Sequence, residues 1–178
     1  QLARAQQAAR QAGMGIGLAC DLAVAAHPGG SMAWNYPQVV LGGAHVGAPP
    51  DAFNPFGQDW GLAPLSPAGL RASGFRPFIA ALQATMRHAG MIRIDHAMCL
   101  QRLYCIPAGA PPDQGAYLGY PFQTLRRLVA LESLRNDCCV VGEDLGTVPP
   151  GFREAMRQSK VLSYRVIWFE RAEGERFR

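Results

Sequence analysis

Three short apolar runs, each leading to an acidic residue, constrain the fold of this chain more than any other feature. They are Ile16–Val24 with Asp21 near its end, Met91-Ile-Arg-Ile-Asp95, and Cys138-Cys-Val-Val-Gly142 followed at once by Glu143-Asp144. Uninterrupted apolar strands are typical of parallel sheets covered by helices on their faces. The segments between them carry helix signals. Leu2–Gln11 reads as a helix closed at Gly13. Pro77 opens a second helix, with Phe78, Leu82 and Met86 on one face and Gly90 at its end. Gln123–Arg135 sets Leu125, Leu128, Val129 and Glu132 at helical spacing. A helix opened by Pro149 and a strand over Val161–Phe169 complete the chain. The pattern predicts an α/β fold of about four parallel strands with covering helices and a long inserted loop. That is a partial (β/α)8 TIM barrel, about half of one, because a complete barrel takes ~200 or more residues.

The inserted loop is the stretch from His27 to Arg76, dense in Gly, Pro, Asn and aromatic residues. A loop this long is functional or disordered, and its tryptophans favour an ordered, functional one. A second loop is expected over Ile106–Tyr120. Composition excludes the main alternatives to a folded domain. With 49% hydrophobic and 17% charged residues, the 178-residue chain is not intrinsically disordered. Charges or Gly/Pro break every apolar run before ~18 residues, so no membrane span is expected. No initiator Met or leader opens the sequence, so the chain is expected to begin inside a longer protein or after processing.

The net charge of +4 comes from 17 basic and 13 acidic residues, and 16 of the basic residues are Arg. They are scattered, apart from Arg126–Arg127 and the tail Arg171–Arg178, without interleaved aromatics; nucleic acid is not an expected partner. Five cysteines without a C-x-x-C pair read as reduced core residues of a cytoplasmic protein. Gly13-x-Gly15-x-Gly17 follows a helix and precedes a strand, the reverse of a dinucleotide-binding turn. His27, His45, His88 and His96 lack metal-ligand spacing, and no metal or cofactor is expected.

Acids at the carboxyl ends of barrel strands line active sites. One such acid is often just a helix N-cap, but Asp21, Asp95 and Glu143 on successive strands are harder to dismiss. Arg93 lies two residues before Asp95, so both side chains share a face of the strand. Arg93 so placed favours an ionised nucleophilic carboxylate. Two carboxylates in different protonation states are the apparatus of glycosidic-bond chemistry. Glu143 suits the acid role because Asp144 beside it would raise its pKa. Trp34, Tyr36, Phe53, Phe56 and Trp60 offer flat apolar faces for sugars, and Asp51, Asn54 and Gln58 offer polar groups for hydroxyls. His96 could bond a substrate hydroxyl.

Gly47-Ala-Pro-Pro-Asp51 through Asn54-Pro-Phe-Gly-Gln58-Asp-Trp60-Gly61, Arg93-Ile-Asp-His96, Ile106-Pro107 and Gly142-Glu-Asp-Leu-Gly146 occur in this order. Together they resemble the 4-α-glucanotransferases, also called amylomaltases or disproportionating enzymes, of glycoside hydrolase family 77. The resemblance runs over essentially the whole chain. It implies a retaining α-glucan transferase on a (β/α)8 barrel acting on maltooligosaccharides or starch-derived glucans. By matching position, Asp95 resembles the nucleophile and Glu143 the general acid/base. Arg93 and His96 resemble the residues that orient the nucleophile and the sugar, and Asp21 the acid ending the third strand. Asp51, Gln58 and Trp60 fall in the family's loop over the acceptor cleft. Cys99 stands where Gly is usual, Ala63 where Pro is frequent, and His27 where an acid is common. A third acid and the early part of the barrel lie outside the chain, so it reads as an internal fragment, expected to be inactive alone. An α-glucan hydrolase of the same clan and a non-catalytic glucan-binding piece are the alternatives.

Overall fold

The computed structural model describes residues 1–170. The Arg171–Arg178 tail singled out above lies outside the described residues. The described residues form two four-stranded sheets. The first is parallel, in the order β1 (Ala19–Leu22), β4 (Met91–Ile94), β7 (Cys139–Gly142), β8 (Leu162–Ser163). Its strands run in chain order, each returning through a helix to the next, as in a contiguous portion of a (β/α)8 barrel.

Helices α4 (Arg76–Met86), α5 (Phe122–Asn136) and α6 (Phe152–Gln158) cover one face of this sheet. Alternation along each strand decides which side chains meet them. Ile92, Ile94 and Val140 are buried with Leu82, Met86, Leu125, Val129, Phe152 and Met156 in one cluster. Fully burying a side chain of this size contributes roughly 1.5–3 kcal/mol. The alternate positions Asp21, Arg93 and Val141 face the other way and are exposed or half-buried. The sheet face that would line a barrel interior is therefore open to solvent among the described residues.

The helix boundaries follow local chemistry. Phe75 takes a left-handed φ of 60° before α4, and Pro77 sits in its first turn. α5 runs one residue beyond each end of its predicted range and stops at Asp137, φ 47°. Helix α1 (Leu2–Gln11) buries no residue. It is tied by Gln6, whose amide donates to Ile16 O and accepts from Leu18 N at 2.6 Å.

The second sheet is antiparallel, in the order β3 (Gln58–Leu62), β2 (Ala44–Ala48), β5 (Arg102–Pro107), β6 (Ala116–Gly119). It departs from the expected loops. The 27–76 stretch folds into α2 (Ser31–Asn35), α3 (Pro67–Ala72), β2 and β3, and the 106–120 stretch supplies β6. The two long connections that follow β1 and β4 thus co-fold into one sheet. Gly47 sits at the register shift between β2 and β3; a Cβ there would lie 1.9 Å from Gln58 O, so only glycine fits.

Two strand limits also differ. β1 is shorter than Ile16–Val24 and ends at Leu22, one residue after Asp21. In place of a strand over Val161–Phe169 there is a two-residue β8 and a 3₁₀ turn at Ile167–Phe169. Tyr164 to Val166 carry no ladder bonds beyond Tyr164 N to Gly142 O. The cysteines are all free: Cys138 is buried and its neighbour Cys139 exposed, so Cys139 is not a core residue.

Candidate active site

The parallel register brings the carboxylates together. Ile94 pairs with Gly142 on the neighbouring strand, so Asp95 and Glu143 follow at the same level of the sheet. Adjacent strands are about 4.8 Å apart. Both side chains line one open cavity of about 320 Å³ with Trp60, His96, Leu145, Gly146 and Thr147.

Each carboxylate is held by groups the local fold supplies. Arg93 Nη2 donates to Asp95 Oδ1 at 2.6 Å, as two residues on one strand face allow. Arg93 Nη1 donates to both oxygens of Asp21, at 3.0 and 2.8 Å. Burial works against the Arg93 charge, but its bonds to Asp21 and Asp95 outweigh that and hold its pKa above the ordinary value. Glu143 Oε2 accepts from His96 N at 2.9 Å, and Oε1 accepts from Leu145 N at 3.0 Å. His96 itself takes a left-handed φ of 45°. Such a conformation at a non-glycine residue costs of order 1–3 kcal/mol. That cost falls on the residue that follows Asp95 and whose backbone N–H bonds Glu143.

His96 also meets Trp60 edge to face, with ring centroids 5.3 Å apart, and Trp60 Nε1 donates to Gln58 Oε1 at 3.1 Å. Burial lowers the His96 pKa below the ordinary 6.5 more than the nearby Glu143 and Asp95 raise it. Unfolding therefore frees His96 to take up a proton in a window reaching down from pH 6.5. A lowered folded pKa on a base means that stability is lost as pH falls through that window. The protein carrying this chain is expected to show a falling denaturant midpoint below about pH 6.5. The variant His96→Asn, whose side chain tolerates the left-handed backbone, should lose less over the same range. An identical pH slope in the two proteins would contradict this.

The predicted residues are not all in the cavity. Asp95, Glu143, His96 and Trp60 line it; Arg93 and Gln58 bond directly to lining side chains. Asp21 pairs in register with Arg93, two residues before Asp95, and reaches the site through that arginine. Asp51 stands apart on an exposed turn, its Oδ1 accepting from Phe53 N at 2.8 Å and Asn54 N at 2.7 Å. Its carboxylate shapes the turn that presents Phe53 and Phe56, which are 83% and 84% exposed.

Asp144 requires a correction. It does not form a like-charge pair with Glu143, because neighbouring residues at the strand end point to opposite sides. Asp144 is 4% exposed, accepts from Arg153 Nε at 2.8 Å and from Ser163 Oγ at 2.9 and 2.8 Å, and so ties β7 to α6 and β8. Leu145, Gly146 and Thr147 also line the cavity, and none carries an individual sequence signal. Leu145 and Gly146 sit in the quoted Gly142–Gly146 motif, but a backbone N–H has no side-chain signature. No group of three or more His, Cys, Asp or Glu able to hold a metal occurs among the described residues.

Comparison with known proteins gives a consistent result. The family model described as 4-alpha-glucanotransferase, glycoside hydrolase 77, matches residues 1–178. The 4-alpha-glucanotransferase of Mycobacterium tuberculosis is 48% identical over 170 residues, covering 96% of this chain and 24% of the relative. That of Haemophilus influenzae is 44% identical over 175 residues, covering 98% of this chain and 25% of the relative. The crystal structure of amylomaltase from Corynebacterium glutamicum superposes with a TM-score of 0.92 at 40% identity, over 97% of this chain and 25% of that one. An amylomaltase from Streptococcus agalactiae, solved in complex with acarbose, shares the fold at TM-score 0.77 and 18% identity, over 87% of this chain and 32% of that one. The chain spans about a quarter of the length of the curated relatives it matches. In fold this is part of a (β/α)8 barrel, and by family the chain belongs to the 4-α-glucanotransferases of glycoside hydrolase family 77.

Proposed function

We propose that the protein carrying this chain transfers α-1,4-glucan segments between maltooligosaccharides by a retaining double displacement. The observation that carries this reading is the pairing of Asp95 and Glu143 at one level of neighbouring strands, on one cavity. Retaining glycosidases set their two carboxyl groups ~5–5.5 Å apart, and the spacing of adjacent strands suits that separation. Asp95 attacks the anomeric carbon while Glu143 protonates the departing glucan oxygen. The glucosyl ester on Asp95 is then opened by the 4-hydroxyl of an acceptor sugar, whose proton Glu143 takes.

The neighbours divide the supporting work. Arg93 aims Asp95 and balances its charge. His96, uncharged at neutral pH, offers a ring nitrogen to a sugar hydroxyl. Trp60 gives an apolar face to the acceptor and is itself oriented by Gln58. The Asp51 turn, with the rest of the 27–76 stretch, covers the acceptor side and keeps water from the ester. Residues 1–178 are read as the central part of the catalytic barrel. The proposed compartment is the cytoplasm, which the five free cysteines support; no helix among the described residues is long and apolar enough to cross a membrane.

Incubation with maltotriose tests the reaction type. Transfer yields glucose together with maltooligosaccharides longer than the substrate. A hydrolase of the same clan gives a steady growth of reducing ends and no longer products. Binding without turnover in the full-length protein would make the chain a glucan-binding piece and overturn the proposal.

A further inference from the structure

The segment from Glu143 to Val148 forms one wall of the cavity with no helix or strand of its own. It also carries the Leu145 N–H that fixes Glu143 Oε1. Internally it is held by little more than a tight turn at Thr147, with Val148 N donating to Gly146 O at 2.9 Å, and Gly146 at φ 80°. A turn of this kind takes its position from whatever grips it from outside.

At its start the segment is gripped from α6, where Arg153 Nη2 donates to Asp144 O at 2.7 Å; farther along, at Thr147, the grip comes from the antiparallel sheet. The Tyr117 hydroxyl on β6 lies 2.9 Å from Thr147 Oγ1. Arg102 on β5 donates from Nη2 to the Thr147 carbonyl at 3.3 Å. The register pairs Tyr104 with Tyr117 and Arg102 with Gly119, so Arg102, Tyr104 and Tyr117 share one face of the ribbon. The Arg102 guanidinium lies 4.1 Å from the Tyr117 ring centroid, and Tyr104 meets that ring edge to face at 5.4 Å. Tyr104 is in turn anchored through its hydroxyl to Pro112 O at 2.9 Å. Tyr117 is thus set from two sides before it touches the turn, and two separate restraints converge on one residue, two positions from the Leu145 N–H.

Building on the acid/base reading of Glu143, we propose that Tyr117 and Arg102 are positioning residues for that carboxylate. They clamp Thr147, and through the 145–147 turn they keep the Leu145 N–H on Glu143 Oε1. The inserted sheet then does more than cover the cleft: it sets the angle at which the proton is delivered. A displacement of about 1 Å in a catalytic group can cost up to ~10²-fold in rate. Loss of one of the two restraints on Thr147 should cost part of that.

The test uses Tyr117→Phe, which keeps the stacked ring, and Thr147→Val, which keeps the shape, in the full-length protein with Glu143→Gln alongside. Each is assayed on maltotriose and on an α-glucosyl fluoride, whose leaving group needs almost no proton, following the first fluoride burst. The expected result is a loss of roughly 10-fold in kcat on maltotriose for each single variant, with the fluoride burst nearly unchanged and the melting temperature close to wild type. The double variant should be no worse than either single one, because both cut the same contact. Equal losses on both donors, or none on either, would overturn the clamp. The Glu143→Gln control separates the two readings: if it shows the donor-dependent rescue and the clamp variants do not, only the clamp fails. If it shows no donor dependence, the acid/base reading fails and the clamp with it.

Discussion

Replacing Asp95 by Asn is expected to reduce glucan transfer by on the order of 10⁴-fold or more, with folding intact. An amide oxygen is too poor a nucleophile to open the glycosidic bond, and the neutral side chain would no longer pair as an anion with Arg93. The rest of the arrangement should survive. Arg93 keeps both bonds to Asp21, and the backbone N–H of residue 95, which donates to Leu22 O at 3.0 Å, is untouched by the substitution. Initial rates on maltotriose, with the melting temperature as a control, decide the matter. A variant that retained a tenth or more of normal turnover would show that Asp95 does not attack the sugar.

Glu143→Gln should behave differently according to the donor. With maltooligosaccharides the loss is expected at about 10²–10⁴-fold, the range of general acid–base assistance. With an α-glucosyl fluoride the first half-reaction should proceed at a rate much nearer wild type. The substitution has a structural cost as well. Both Glu143 oxygens accept backbone N–H bonds, from His96 and Leu145. The Gln amide can satisfy only one of them and sets its own NH₂ against the other. An unpaired N–H in a half-buried position costs about 1–3 kcal/mol, so a lower melting temperature should accompany the kinetic change. Equal loss on both donors would remove Glu143 from the acid role.

The parallel sheet was legible because its signal is local. Met91–Ile94 and Cys139–Gly142 are apolar runs of strand length bounded by turns, and the period of two along Met91–Asp95 put Arg93 beside Asp95 without any tertiary information. Helix α5 was legible for a similar reason, from Leu125 and Val129 on one buried face. The antiparallel sheet was not. Its strands are short and mix Gly, polar and apolar residues, as in Gln58-Asp-Trp-Gly-Leu62. Its central pairing joins β2 to β5, nearly sixty residues apart, so no hairpin turn announces it. Without that sheet the Tyr117–Thr147 contact has no visible origin.

Around the cavity, which side chains converge was legible in part, and their orientation less so. Asp95, Glu143, His96 and Trp60 all reach the cavity. Asp144 stands next to Glu143 in sequence, but its carboxylate turns to Arg153 and Ser163. Asp21 lies near the end of its strand, as expected, but its register sets it beside Arg93 and outside the cavity lining. The left-handed backbone at His96 has no sequence signature at all, although it supplies one of the two N–H groups on Glu143.

Trapping the intermediate tests the central claim most directly. The Glu143→Gln form of the full-length protein, mixed with an α-glucosyl fluoride and quenched in acid, should release fluoride as a carboxylate oxygen bonds to the anomeric carbon. Peptide mass spectrometry is expected to find one glucosyl group esterified to the peptide holding Asp95, and none when Asp95→Asn is added. A glucosyl group on another carboxylate, or burst release of fluoride with no esterified peptide, would contradict the account.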